Sequence, residues 1–134
     1  MKKKLFFAGL ATILILASCS KSDPGTTPAT TYSLDGKWVG TYNNGAGGPV
    51  YYFALTFKSG GALAVQANNS LTPDIASGSW VLVADSIKAS YSYTGSSAIY
   101  ALAAKYTATS NIMPGTVGLS PATAGEAVFS VTKQ

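Results

Sequence analysis

The sequence contains no histidine and no arginine, a single cysteine, and five acidic residues against nine lysines. Without histidine the usual imidazole general base and the commonest metal ligand are both missing. A serine or threonine nucleophile would have to rely on lysine for activation, and no G-x-S-x-G turn is present to present one. One cysteine excludes an intramolecular disulfide framework and any multi-cysteine metal site. Charge is scarce, at 10% of residues, while 47% are hydrophobic, which is the balance of a chain that folds. The 134 residues leave room for one ordinary domain.

The acids offer no catalytic pair. Glycoside hydrolysis needs two carboxyl groups held about 5–9.5 Å apart. Asp23, Asp35, Asp74, Asp85 and Glu126 instead fall in a Pro/Ser/Thr-rich stretch, at turns or near the end of an apolar run, where such residues ordinarily act as solvated caps. Gly45-Ala46-Gly47-Gly48 precedes no helical pattern, so a phosphate cradle is not expected there. The chain therefore reads as non-catalytic, with no cofactor and no metal.

The net charge of +4 is concentrated at the start of the chain, in Lys2, Lys3 and Lys4. Beyond residue 18, six lysines face five acids. That near-neutral remainder has no basic surface with which to neutralise phosphates, so nucleic acid is not an expected partner.

Met1–Lys4 is a basic segment, Leu5–Leu16 an uninterrupted apolar one, and Leu16-Ala17-Ser18-Cys19 follows directly. This order is that of an export signal. Twelve apolar residues are too few to cross a hydrocarbon core, which takes about 20 in a helix. The tetrapeptide LASC resembles the lipobox of bacterial lipoproteins. The resemblance implies a signal peptide over 1–18, acylation of Cys19 as the mature N-terminus, and anchoring in a membrane. Ser20 after the cysteine, where an aspartate would imply inner-membrane retention, implies the outer membrane of the cell envelope. Several acyl chains would hold the protein firmly, at about 0.8 kcal/mol per buried CH₂. Residues 19–31 then form a lipidated cysteine and a tether. Ser20–Thr31 carries two prolines and no bulky apolar side chain, and could reach roughly 35 Å if extended.

From Tyr32 to Gln134 the pattern alternates with period two between clusters of Gly, Asn, Pro and Asp. Strands are expected over 37–42, 50–57, 63–67, 79–83, 87–93, 99–107, 112–117 and 126–132, with 68–77 as a longer loop and Pro114 weakening the seventh run. Eight short runs with short connections predict an all-β antiparallel up-and-down meander. One face carries nearly all the large rings, so the sheet is expected to close into an eight-stranded barrel over residues 32–134. An immunoglobulin-like β-sandwich is the alternative, since it too builds about 100 residues from about seven strands.

Gly36-Lys37-Trp38-Val39-Gly40-Thr41-Tyr42 resembles the G-x-W opening strand of lipocalin-like and avidin-like barrels. Phe53, Leu55 and Phe57, the G-x-W of Gly78-Ser79-Trp80, and Tyr91 with Tyr93 are similar to small lipocalin-like domains of envelope lipoproteins. There is no arginine to pack over the first tryptophan, as one does in many lipocalins.

Inside such a barrel Trp38, Tyr42, Tyr51, Phe53, Trp80, Tyr91, Tyr93, Tyr100 and Tyr106 would converge. Two functions fit. The rings would line a pocket for a small apolar or aromatic-stacking ligand, with tyrosine hydroxyls as polar handles. Alternatively they form a solid core, each buried ring contributing about 1.5–3 kcal/mol, and the loops recruit a protein or glycan partner. Interior volume separates the two.

Overall fold

A computed structural model describes residues 28–134. The leader expected at 1–18, Cys19 and the tether up to residue 27 lie outside the described residues. The described chain is all-β, with eight strands: β1 (Gly36–Asn43), β2 (Val50–Phe57), β3 (Ala62–Asn68), β4 (Asp74–Val83), β5 (Ser86–Tyr93), β6 (Tyr100–Lys105), β7 (Ile112–Leu119) and β8 (Ala127–Lys133). Each strand pairs antiparallel with the next, and β8 returns to β1 from Trp38↔Lys133 to Asn43↔Val128. The meander is a closed barrel, so the sandwich alternative falls.

The period-two pattern sets which face turns inward. Trp38 on β1, Phe53, Leu55 and Phe57 on β2, Leu63, Val65 and Ala67 on β3, Ile87, Ala89 and Tyr91 on β5, Leu102 and Ala104 on β6, Met113 and Val117 on β7, and Phe129 and Val131 on β8 make one continuous core. Exposed polar residues such as Lys88 and Ser90 alternate with them, as a half-buried strand requires.

Three inward positions are glycine because there is no room for more. A Cβ on Gly40 would lie 2.0 Å from the Ser130 carbonyl oxygen, and one on Gly78 would lie 1.8 Å from that of Ser90. At both points the neighbouring backbone itself closes in, as at the bends of a tightly coiled sheet. At Gly115 an added Cβ would meet both the Phe129 ring, with Cζ at 2.2 Å, and the backbone carbonyl oxygen of Ala103 at 2.6 Å.

One strand expectation needs correction and another is extended. The segment 68–77 is not one long loop: β4 begins at Asp74. Residues 74–78 carry few bulky side chains to signal a strand, but they are held on both sides, by Ala67↔Asp74 to Leu63↔Gly78 in β3 and by Ala76↔Tyr93 in β5. The seventh strand is present as expected through Pro114 and reaches two residues further, to Leu119; pairing with β8 runs across the proline, while pairing with β6 begins at Gly115.

The two ends of the barrel differ. At the end where β1 starts, residues 32–35 lie across the opening. The Tyr32 N–H donates to the Ala108 carbonyl at 2.6 Å, Trp38 Nε1 donates to the Leu34 carbonyl at 2.9 Å, and the Tyr106 hydroxyl donates to the Tyr32 carbonyl. Leu34 itself is buried. Below mid-height the interior is filled: Trp38, Leu55, Val65, Ile87, Leu102, Met113 and Val131 are all 0% exposed. The opposite end is ringed by the connections 44–49, 69–73, 94–99 and 120–126 and stays open.

Candidate functional site

The open end holds a cavity of about 320 Å³. Its wall is built by register. Tyr91 and Tyr100 are direct partners across β5 and β6, and their rings stack at 5.6 Å with planes 19° apart. Tyr93, two residues up the same face of β5, stands nearly perpendicular to both, at 85° to Tyr91 and 80° to Tyr100. Such stacked and edge-on pairs are the favoured ring geometries. Across the cup, Tyr42 meets Phe53 edge-on at 5.5 Å. Phe53 and Val117 form part of the lining, where it meets the filled core.

The rim is polar. The Tyr42 hydroxyl donates to Asn68 Oδ1, and Asn68 Nδ2 donates to Asp74 Oδ2. Asn68 ends β3 with φ of 71°, a left-handed conformation that asparagine tolerates better than most residues. Asp74, Glu126 and Asn44 complete the mouth. All three are exposed.

Burial pushes the Tyr93 phenol up to about 12. The same cause, followed by the nearness of Tyr93, holds Tyr91 well above its ordinary value. Tyr42 is raised as well, by burial first and then by Tyr51, Asp74 and Tyr100. The cup therefore presents neutral phenols that can donate and accept hydrogen bonds, ring surfaces, and two carboxylates. Among the described residues no group of three or more His, Cys, Asp or Glu side chains could hold a metal ion.

Of the nine rings expected to converge, five line this cavity: Tyr42, Phe53, Tyr91, Tyr93 and Tyr100. Tyr51 stacks on the outer side of that group, 5.3 Å from Tyr42 at 28°. The other three belong to the closed end. Trp38 packs against Tyr106 at 6.4 Å. Trp80 packs edge-on against Phe57 at 5.5 Å, and its Nε1 donates to the carbonyls of Lys58 at 3.2 Å and Ala62 at 3.1 Å. These three rings are structural plugs. They share the inward face with the cup residues but sit at the wrong height.

Sequence reasoning missed Asn44, Asn68, Asp74 and Glu126. For Asp74 a signal existed. Counting back by twos from Trp80 through Gly78 and Ala76 reaches Asp74, on the inward face of β4 at its mouth end. Treating 68–77 as loop broke that count.

Charge divides along the barrel axis. Lys37, Lys105 and Lys133 lie at closed-end strand termini, Lys58 in a closed-end turn, and Lys88 three residues into β5 from that end. Asp35 and Asp85 are there too, and Lys105 pairs with Asp85 at 3.1 Å. The mouth carries Asp74 and Glu126 and, among the described residues, no lysine.

No family model matches the chain, and no curated protein or solved structure matches it significantly.

Proposed function

We propose that this is a non-catalytic, lipid-anchored protein of the bacterial outer membrane whose lipocalin-like barrel holds a small apolar or aromatic-stacking ligand. The observation that carries the binding reading is the cup of about 320 Å³ at the open end, walled by Tyr42, Phe53, Tyr91, Tyr93 and Tyr100. A volume of this order suits a small molecule. Rings give it contact area, and phenol hydroxyls give it direction. The anchor reading is supported by the basic, apolar and LASC segments of residues 1–19. Acylated Cys19 would lead through the tether to residues 32–35, which lie across the closed end. The cup would then open away from the lipid.

Native mass spectrometry of the protein purified from its own cells tests the cup. A co-purifying mass that disappears in a Tyr91→Ala, Tyr100→Ala double variant supports it. The filled lower half of the barrel favours the second reading, in which the loops recruit a protein or glycan partner. A mouth that holds only water, with loop variants losing a partner, would replace the first reading with the second. Fractionation tests the anchor: Cys19→Ala should move the protein from the membrane pellet to the soluble fraction, and unchanged pelleting would remove the lipid from the proposal.

A further inference from the structure

We propose that the cup selects an organic cation, an ammonium or quaternary ammonium group seated against the rings of Tyr42, Tyr91, Tyr93 and Tyr100 and balanced by Asp74 and Glu126. The inference rests on the reading of the mouth as a ligand cup and adds the sign of the ligand's charge.

Three observations point the same way. The first is the wall. Tyrosine rings carry a negative face, and cations within about 6 Å of such faces are attracted, most strongly when water is excluded. The cup brings four tyrosines together, with the Tyr93 ring perpendicular to a stacked pair. The second is the rim. Asp74 accepts a hydrogen bond from Asn68, but neither Asp74 nor Glu126 has an ion-pair partner among the described residues. The third is where the lysines are. Every one among the described residues is displaced toward the other end of the barrel, so the mouth keeps an uncompensated negative charge.

Desolvation then decides between ligand classes. An uncharged apolar body closing the mouth would strip water from two carboxylates and offer nothing in return, which is costly. An anion would add repulsion to that cost. A cation compensates both carboxylates while its apolar body covers the rings. The phenols remain neutral in this field, because burial and the proximity of Asp74 both oppose their ionisation. They thus stay available as hydrogen-bond partners for an ammonium.

A charge series on one ring tests this. Benzylammonium, benzyl alcohol and benzoate have similar size and differ in charge. Each is titrated into the full chain in detergent by calorimetry at low salt. Benzylammonium should bind at least about tenfold more tightly than benzyl alcohol, with benzoate weakest. Asp74→Asn and Glu126→Gln together should remove that preference, with the melting temperature checking that the barrel is intact. Asp74→Asn keeps an oxygen for Asn68, so loss of the preference would report charge rather than the hydrogen bond. Equal binding of ammonium and alcohol overturns the cation inference and leaves the cup standing. Binding by none of the three overturns the cup as well.

Discussion

Lys133 Nζ lies 5.3 Å from the centroid of the Trp38 ring while donating to the carbonyl of Asp35. The sequence contains no arginine, so no guanidinium can cover this indole. The penultimate residue of the chain supplies a lysine instead, delivered by the pairing Trp38↔Lys133 that closes the barrel. Gly36 allows it, since a Cβ there would lie 2.7 Å from the lysine nitrogen. One ammonium thus ties the first strand, the last strand and the plug segment together. Lys133→Ala should destabilise the domain by about 1 kcal/mol and alter Trp38 fluorescence. Lys133→Arg should retain most of the stability, because a guanidinium also stacks on indole. Urea unfolding followed by fluorescence measures both. An alanine variant as stable as the parent would reduce this contact to an incidental one.

Gly115 and Phe129 should be energetically coupled. Gly115→Ala pushes a methyl into the Phe129 ring and should cost about 1–3 kcal/mol as overpacking. In a Phe129→Leu background the ring's share of that cost should disappear while the share set by the Ala103 carbonyl, 2.6 Å from the added Cβ, remains, and a double-mutant cycle reads the difference. Gly78→Ala provides the contrast. There the obstacle is backbone alone, that of Ser90 and Tyr91, so no side-chain trimming on β5 should relieve any of it.

Ala84 occupies the first position of the two-residue turn between Val83 and Ser86 with φ of 56°. A left-handed backbone costs an L-residue with a Cβ roughly 1–2 kcal/mol. Ala84→Gly should therefore stabilise the protein, by about 1 kcal/mol once the greater freedom of glycine in the unfolded chain is deducted. Thermal and urea unfolding would both register it. A lower stability would mean that the alanine methyl makes a favourable contact in this exposed turn.

The cup tyrosines predict an alkaline limit to stability. Tyr91 and Tyr93 are both raised by burial, Tyr93 to about 12, against about 10 in an unfolded chain. A raised pKa means that the folded state holds its proton longer. The contribution is fully present below pH 10 and is lost as pH climbs through the folded values. Between pH 10 and 12 the unfolding free energy should fall with a slope approaching one proton for each such tyrosine. Tyr91→Phe, Tyr93→Phe should flatten that slope. Native absorbance near 295 nm should show these phenols ionising later than in denaturant.

The barrel was legible because period-two alternation is a local property. Trp38 to Tyr42, Phe53 to Phe57 and Ile87 to Tyr93 each declare their inward face within a few residues. Closure followed from that pattern combined with short turns, and the register confirms it. Height along the barrel axis was not legible. Trp38 and Tyr100 belong to strands that do not pair, β1 and β6, and to the same interior, yet one packs at the closed end and the other walls the cup. Their levels depend on the stagger between strands, which is a non-local quantity. The polar rim was hidden for a related reason. Asp74 and Glu126 look like turn residues in the sequence, and Asp74 becomes part of a site only when β3 brings Asn68 beside it.

The seam between β1 and β8 has a consequence for copies of the protein that meet one another. Six consecutive residue pairs close the last gap in the ladder, so among the described residues neither β1 nor β8 presents a row of unsatisfied backbone donors and acceptors. Such a row is the template on which foreign strands add and fibres grow. Exposed apolar residues of the outer wall include Val81 and Val83, on the stretch of β4 that runs past its last β3 partner at Ser79, so that short overhang, and not the seam, is where backbone stays open to another chain.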